Sequence, residues 1–412
     1  MDDMMQAGAL TGMRVLDLSR VLAGPWSGQL LADLGADVVK VERPGAGDDT
    51  RAWGPPWLND ADGQSTGESA YYLSANRNKR SVTIDVGQPE GQRLVRQLAS
   101  KADVVLENFK VGGLAQYGLD YASLKELNPR LVYCSITGFG QTGPYASRAG
   151  YDFLIQGMGG LMSLTGRSDG TEGAGPLKVG VALTDIMTGL YATVAVLAAL
   201  KRREQSGQGQ HIDLALLDVQ IACLANQAAN YLVGGVAPRR MGNAHPNIVP
   251  YQDFPTADGY MIVAVGNDSQ FASLCRTLGR PEWSSDERFA TNPQRVKHRN
   301  ELIALIHGIT VRRKTDEWVA AMEAAGVPCG PINTLDRVFS DPHVQSRNTR
   351  IEMPHSLATH VPLVANPIRM SESPVQYRHA PPTLGQHTEE VLSDWLDATA
   401  AEIDALRARN AI

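Results

Sequence analysis

The chain has 412 residues, of which 43% are hydrophobic and 20% charged, and its formal net charge at pH 7 is -6. This is the composition of an ordinary globular protein, long enough for two or three domains with a large buried core. Because Lys and Arg are scattered and the balance is acidic, we expect no binding to nucleic acid and none to a membrane surface.

The four cysteines lie far apart and show no spacing typical of a metal site. Isolated thiols of this kind are typical of a reducing compartment. Residues 1–5 contain no basic segment followed by an apolar one, and the most apolar stretch, residues 189–200, is too short to span a bilayer. We therefore expect a cytoplasmic protein without a metal, in which residues 189–200 form a buried core helix.

Short apolar runs alternate with helical patterns through the first half of the chain. The predicted strands are 14–18, 37–41, 81–85, 104–106 and 131–136, and the predicted helices between them are 26–34, 89–100 and 123–127. Alternation of this kind predicts a largely parallel sheet that is covered by helices. The fold class is therefore α/β.

The second half begins with a long predicted helix and then changes character. Its predicted helices are 185–204, 215–232, 269–278, 300–307, 316–325 and 387–407, its predicted strands are 211–214 and 260–265, residues 326–331 are a predicted linker, and residues 361–382 are a predicted extended tail. We expect a large domain over 1–215 that is completed by 331–412. A linker helix at 216–240 and a smaller α/β domain at 241–330 lie between its two parts.

Asp185 is the carboxylate with the most informative setting, because it stands where a long apolar helix begins. The plain interpretation is an N-cap or first-turn acid that the helix dipole favours, and the residues alone favour it. The functional hypothesis uses the same physics. A helix N-terminus would keep a partly buried carboxylate ionised and therefore nucleophilic.

Two loops that follow predicted strands carry groups at positions that commonly line a ligand cleft, and the cation in the first of them suits a ligand with phosphates. Arg43 follows the strand at 37–41, and Asn108 and Phe109 follow the strand at 104–106. Ligands of parallel sheets bind at the carboxyl ends of the strands. Each group also has a plain interpretation, a solvated loop charge for Arg43 and a turn closed by an amide for Asn108. The first glycine turn, residues 24–28, lacks GxGxxG, which argues against a dinucleotide-dependent oxidoreductase.

Several stretches, in order along the chain, together resemble the family III CoA-transferases. The resemblance runs from about Gly12 to Leu392, and the stretches that carry it include GMRVLDLSRVLAGP, LGADVVKVERPGAGDDTR, ADVVLENF, VALTDIMTGLYA, SGQGQHIDLALLD and PPTLGQHTEEVL. It implies an enzyme that moves CoA between carboxylic acids. YCSITGFGQTGP and NIVPYQDF resemble the branch that uses succinyl-CoA with glutarate or hydroxymethylglutarate, and a related branch takes malate.

The resemblance also implies a fold and a set of partners. The large domain is expected to be Rossmann-like, with the small domain inserted. Each chain is expected to be ring-like, so that two copies thread each other into an interlocked homodimer. Acyl-CoA and a carboxylic acid are the implied substrates, and CoA serves as a substrate, with no permanently bound cofactor.

The resemblance assigns roles to individual residues. The catalytic aspartate falls on Asp185, and the transfer is expected to run through an aspartyl anhydride and an aspartyl-CoA thioester. The positions expected to contact CoA are Leu22, Ala23, Arg43, Ile84, Asp85, Asn108, Phe109, Tyr151 and Asp152. Backbone N–H groups of residues 157–160 are candidates for holding the oxyanion, and Arg148 or Arg240 for binding the distal carboxylate of a diacid.

This chain differs from the formyl-CoA enzyme at three places, and these differences restrict which acid is expected to accept CoA. That enzyme has Gln at the position of Leu22, Arg at the position of Gln116 and a glycine-rich flap at 242–248. A longer diacid is therefore expected in place of oxalate.

Two alternatives remain open at the level of the sequence. The first is α-methylacyl-CoA racemisation, in which a His and an Asp move a proton. The position of that His is occupied by Tyr151, a poor base because its ordinary pKa is about 10. The second is a non-catalytic protein that binds CoA.

Overall fold

A computed structural model describes residues 7–412. The strands are β1 (Arg14–Asp17), β2 (Asp37–Glu42), β3 (Trp57–Asn59), β4 (Ser65–Ser69), β5 (Lys79–Thr83), β6 (Val104–Glu107), β7 (Val132–Thr137), β8 (His211–Ala215), β9 (Tyr251–Pro255), β10 (Tyr260–Ala264), β11 (Cys329–Pro331), β12 (Arg350–His355) and β13 (Ala358–Val364).

The helices of the same residues occupy much of the remaining chain. They are α1 (Ala23–Asp33), α2 (Ala70–Leu73), α3 (Pro89–Lys101), α4 (Tyr121–Leu127), α5 (Asp152–Met158), α6 (Leu161–Leu164), α7 (Leu183–Ser206), α8 (Leu216–Ala222), α9 (Ala225–Gly234), α10 (Asp268–Thr277), α11 (Asn292–Lys297), α12 (Arg299–Thr310), α13 (Thr315–Ala324), α14 (Leu335–Ser340), α15 (Pro342–Ser346), α16 (Thr388–Leu396) and α17 (Ala400–Ala408).

The central element is a parallel sheet of six strands within the described part of the chain. Its order is β5-β2-β1-β6-β7-β8, and every neighbouring pair is parallel. Along the chain these strands come as β1, β2, β5, β6, β7 and β8, so the spatial order is that of a Rossmann fold. The predicted α/β class with a parallel sheet is confirmed.

The central strands β2, β1, β6 and β7 are buried on both faces over most of their length, which explains the apolar runs within them. Val15 and Val38 belong to a core cluster that includes residues of α1, α7 and α8. Their neighbours Leu16 and Val39 point the other way and pack with residues of α3, α4, α16 and α17. Helices therefore cover the sheet on both sides.

The described residues form two compact units, each of which makes most of its contacts within itself. The first comprises residues up to Leu161, Val179–Leu232 and Gln345–Ile412, and the second comprises Met162–Lys178 and Val233–Val344. The first unit contains the parallel sheet and the hairpins β3–β4 and β12–β13. The second contains an antiparallel sheet in the order β11-β10-β9, packed with α10, α12 and α13 around Phe254, Phe271 and Trp318. The boundaries predicted at 215, 240 and 330 stay a prediction.

Several local predictions are wrong, each for a physical reason. Cys329–Pro331 forms β11 against β10 and is not a linker. The predicted helix at 215–232 is two helices, α8 and α9, separated where Ala225 has a φ of 45°. The predicted helix at 387–407 is likewise interrupted at Asp397, with a φ of 55°. Glycine, the usual signal for such a conformation, is absent from both positions.

α7 is the long apolar helix of the first unit. By length and composition it could cross a membrane, but half of its apolar window is buried inside the structure. At Gly189 a side chain would have no room, because a Cβ would lie 2.7 Å from the carbonyl oxygen of Ala23. The closeness of α7 and α1 at this point brings the starts of both helices together.

Candidate active site

A cavity of about 410 Å³ opens at the carboxyl edge of the parallel sheet. It is lined by the loops that follow β1, β6 and β7 and by the starts of α7 and α8. β1 and β6 are adjacent strands from which the chain proceeds in opposite directions, and such a switch point is where open parallel sheets bind ligands.

The cavity brings together six of the residues that the sequence predicts for the site. These are Leu22, Ala23, Asn108, Phe109, Tyr151 and Asp185. Asp152 lies beside them, and its carboxylate accepts hydrogen bonds from the backbone N–H groups of Thr184 and Asp185. Their catalytic and CoA-contacting roles stay predictions.

Three other predicted residues do not line this cavity. Arg43 is exposed in the loop after β2. Ile84 is 1% exposed and packs in the core with the helices on the far face of the sheet. The Asp85 carboxylate accepts a hydrogen bond from the N–H of Gly87 at 2.9 Å. Contact between CoA and these three stays a prediction.

Asn108 joins the loops that follow β1 and β6. Its side-chain oxygen accepts the N–H of Arg20 at 2.9 Å, and its amide nitrogen donates to the Arg20 carbonyl at 2.7 Å. The Arg20 guanidinium lies 5.7 Å from the centre of the Phe109 ring and pairs with Asp49 at 2.9 Å. The plain interpretation of Asn108 as an amide that closes its own turn is therefore wrong, because the amide bonds to the backbone of a different loop on a wall of the cavity.

The loop after β1 has a strained residue that a buried ion pair supports. Val21 has a φ of 71°, which is unusual for a β-branched residue and costs about 1–3 kcal/mol. Its N–H donates to Asp48 at 3.2 Å, and Asp48 pairs with Lys40 at 2.9 Å, with both side chains fully buried. Lys40 also donates to the carbonyl of Ser19 at 2.8 Å. The backbone of this cavity wall is thus fixed from the core.

The carboxylate of Asp185 is the reactive group that the cavity offers. The residue lies in the first turn of α7 and is 8% exposed. No described residue donates a hydrogen bond to its carboxylate, although its backbone N–H is bonded to Asp152. Burial and then the negative charge of Asp152 raise the pKa of Asp185 to about 7. The prediction that the helix N-terminus keeps this group readily ionised is wrong, because Asp152 accepts the N–H groups of the first turn.

Tyr71 was not predicted as part of this neighbourhood. Burial raises its pKa, followed by the charges of Asp185, Asp152 and Asp48. Its ring packs edge-on against Trp53 at 5.1 Å between centroids. No catalytic or binding role was predicted for Tyr71 from the sequence. For Lys40 a signal existed, since a lysine within the apolar strand DVVKVE indicates a buried ion pair.

Arg148 is the candidate diacid anchor that lines the cavity. Its guanidinium lies 4.6 Å from the ring centre of Tyr145 and 5.1 Å from that of Phe139. It forms no ion pair with an acidic side chain of residues 7–412. Arg240, the other candidate, belongs to the second unit and pairs there with Asp169.

The glycines at 157–160 do not offer the predicted oxyanion donors. The N–H of Gly159 is bonded to the carbonyl of Ile155 at 2.7 Å, and that of Gly160 to the carbonyl of Gly157 at 3.4 Å. Both donors are used to close the end of α5. Within the described chain, no group of three or more His, Cys, Asp or Glu side chains could hold a metal ion.

Comparison with known proteins assigns this architecture to a group of enzymes. The model of the family described as CoA-transferase family III matches residues 10–388. A succinate–glutarate CoA-transferase of Agrobacterium fabrum is 54% identical over 385 residues, which are 93% of this chain and 95% of that protein. The succinyl-CoA:glutarate CoA-transferase of Homo sapiens is 44% identical over 394 residues, which are 96% of this chain and 87% of that protein.

A solved structure shares both sequence and fold. A CAIB/BAIF family protein from Brucella suis is 52% identical, has a TM-score of 0.83, and is matched over 95% of this chain and 100% of its own. Every residue that lines the cavity falls inside the stretch that the family model matches.

Proposed function

The chain belongs to CoA-transferase family III and is a CoA-transferase, and from this premise we propose that it moves CoA from succinyl-CoA to a dicarboxylate. Glutarate, hydroxymethylglutarate and malate are the proposed acceptors. The observation that carries the proposal is the Asp185 carboxylate, which faces the switch-point cavity and has no hydrogen-bond donor among the described residues. Relatives named for succinyl-CoA and glutarate support the choice of substrates.

The walls of the cavity suit a CoA thioester. Leu22 and Phe109 offer apolar surface to a pantetheine arm. Lys110 and Arg20 line the same cavity and can meet phosphate oxygens. CoA would thus lie along the carboxyl edge of the sheet, with its thioester toward the start of α7.

In the first half of the proposed reaction, Asp185 takes the place of the thiol. Its carboxylate oxygen attacks the thioester carbonyl of succinyl-CoA, the C–S bond breaks, and CoA leaves as a thiolate. The product is a mixed anhydride between Asp185 and succinate. The thiolate then attacks the aspartyl carbonyl and expels succinate, which leaves CoA bound to Asp185 as a thioester.

The second half repeats these steps in reverse with the acceptor. One carboxylate of the diacid attacks the aspartyl thioester and releases the thiolate, and a second anhydride forms. The thiolate attacks the acyl carbonyl of the acceptor, which leaves as acyl-CoA and restores the Asp185 carboxylate. One thioester is consumed and one is formed, so the cycle is balanced without another reactant.

The pKa of Asp185 predicts the dependence of the rate on pH. Only the ionised carboxylate attacks, and the ionised fraction falls about tenfold per pH unit below a pKa of about 7. We expect kcat/KM for succinyl-CoA to fall in this way between about pH 6.5 and 5, measured by the initial rate of thioester exchange. A rate that stays level over this range would contradict an essential group with this pKa.

Arg148 is proposed to bind the distal carboxylate of the acceptor. With succinyl-CoA as donor, Arg148→Gln is expected to raise the KM for glutarate about tenfold or more, because a charge-assisted hydrogen bond is lost. Arg148→Lys should retain part of the affinity. The KM for valerate, which lacks the second carboxylate, serves as the comparison. An equal change for both acids would show that Arg148 does not recognise the diacid.

A substrate panel tests the proposed activity itself. The enzyme is incubated with succinyl-CoA and a set of diacids, and the thioesters are identified by mass spectrometry. The proposal expects one new acyl-CoA for each accepted diacid, with an equal amount of free succinate. Deuterium entering the α-carbon of a 2-methylacyl-CoA without movement of CoA would favour the racemase alternative.

The family resemblance also supports an interlocked homodimer, which we include in the proposal together with a cytoplasmic location. Large apolar side chains of α7, Leu190, Tyr191 and Val194, are 40%, 44% and 65% exposed. Surface of this kind is common where a second chain packs. Light scattering at low micromolar concentration should give twice the mass of one chain, and fractionation of the source cells would test the location.

A further inference from the structure

An acid from a distant part of the chain caps the start of α7. The residue at the N-cap position, Ala182, has no side-chain acceptor. One carboxylate oxygen of Asp152 instead accepts the N–H of Thr184 at 2.8 Å and the N–H of Asp185 at 3.3 Å. Asp152 is itself the first residue of α5, so this contact joins the starts of two helices.

Buried amides hold this cap in place. Gln156 donates to the second carboxylate oxygen of Asp152 at 2.7 Å, and its own oxygen accepts the N–H of Val179 at 2.9 Å. On the other side, the hydroxyl of Thr184 donates to Gln220 of α8 at 2.6 Å. Gln156 and Gln220 are 0% and 3% exposed, and buried polar networks with their hydrogen bonds satisfied are rigid.

The cap formed by Asp152 affects the hydrogen bonding of the Asp185 carboxylate. A first-turn acid commonly interacts with the N–H groups of its own helix. Here those groups are already bonded to Asp152, so turning the Asp185 carboxylate back toward the helix would bring it to occupied donors. The carboxylate that remains without a donor is the one that lines the cavity.

We propose that Asp152 is a positioning residue for the transfer reaction, because it caps α7 in the place of Asp185 and so leaves the Asp185 carboxylate directed into the cavity. This inference rests on the proposed function. It assigns to Asp152 a role within the protein, whereas the family resemblance implies only that its neighbourhood contacts CoA. The Asp152 charge also adds to the rise in the pKa of Asp185.

Other charges near Asp185 bear on any effect of pH. The groups that line its cavity or act on the same neighbourhood are Tyr71, Asp48, Asp49, Arg20, Lys110, Tyr117, Arg148 and Tyr151. On the helices packed against α7, α1 has no acid in its first turn, and Asp218 of α8 is exposed. Asp152 is the carboxylate whose charge contributes to the raised pKa of Asp185.

Two substitutions distinguish a positioning role of Asp152 from a merely structural one. Asp152→Ala removes the cap, and we expect kcat to fall about 100-fold, since small displacements of a reacting group have effects of this size, while the KM for succinyl-CoA stays within about threefold. Asp152→Asn keeps an oxygen acceptor but not the charge. The kcat of Asp152→Asn is expected to be at least about tenfold higher than that of Asp152→Ala. The acid limb of its plot of rate against pH is expected to move to lower pH.

Glu90→Ala is the matched control, because Glu90 is a first-turn acid of α3 on the opposite face of the sheet. Its kcat should stay within about twofold of the wild-type value. The inference is overturned if Asp152→Ala keeps a kcat within threefold of wild type, or if Asp152→Asn leaves the pH profile in place. If no covalent adduct formed on Asp185 when the wild-type enzyme is mixed with succinyl-CoA, the proposed function itself would instead be refuted.

Discussion

Asp185→Asn is expected to lower the rate of CoA transfer by about 10⁴-fold or more, with succinyl-CoA binding within a few-fold of wild type. The amide has nearly the shape of the carboxylate but cannot attack a thioester. Rates are measured by chromatography of the thioesters, and binding by equilibrium dialysis. Asp185→Ala guards against slow conversion of the new Asn back to Asp. Transfer at a near-normal rate by both variants would contradict the proposed mechanism.

The same substitution is expected to stabilise the protein in a pH-dependent manner. The pKa of Asp185 is about 7 in the folded chain against 3.8 as its ordinary value, so folding is penalised once the group ionises in the unfolded chain. This penalty is absent below about pH 4, grows up to about pH 7 and then stays constant. We expect Asp185→Asn to raise Tm by about 2 °C at pH 8 and not at pH 4. A lower Tm at pH 8 would contradict the unfavourable burial of this carboxylate.

Asp17→Leu is expected to lower the free energy of unfolding by about 3–5 kcal/mol. Asp17 ends β1 just before the cavity loop and pairs with Lys79 at 2.9 Å, with both side chains fully buried. Burial alone would raise the pKa of Asp17, but the charges of Lys79 and Lys40 hold it below its ordinary value. Removing Asp17 leaves both cations without this partner in the core.

Lys79→Met, made alone and together with Asp17→Leu, is the control for this effect. Burial lowers the pKa of Lys79 to about 8, which means that the charged form of the lysine is unfavourable at this position. The double variant Asp17→Leu, Lys79→Met is expected to be more stable than Asp17→Leu, because no unpaired charge remains on Lys79. Urea unfolding followed by two spectroscopic probes gives the values. A double variant with the summed loss of both single variants would show that the pair is not coupled.

The parts of the fold that the sequence predicts are those where apolar periodicity is strong. Apart from their first residues Arg14 and Asp37, strands β1 and β2 are buried, as are β6 and β7, and the apolar runs of these strands are visible without a structure. β9 reads YQDFP and β11 reads CGP, and neither shows such a pattern. Their strand conformation comes from pairing with β10, which is a tertiary effect.

The site is predictable to the extent that sheet topology determines it. Leu22 and Asn108 follow adjacent parallel strands, so their meeting at one edge follows from the strand order. The cap on α7 could not be predicted, because Asp152 lies 33 residues before Asp185 and its contact depends on how α5 packs. Ile84 and Asp85 came from the family resemblance alone, whereas Arg43 was also indicated by its place after a strand, and the cavity includes none of the three.

Asp185 is proposed to carry the acyl group and then CoA in covalent form, and every step of the transfer depends on this. The most direct measurement is to mix the enzyme with succinyl-CoA, quench with hydroxylamine or borohydride, and map the modified peptide by mass spectrometry. We expect a hydroxamate or a reduced side chain at Asp185, formed only when succinyl-CoA is present and absent from Asp185→Asn. Modification of another carboxylate, or an unmodified enzyme that still turns over, would contradict this proposal.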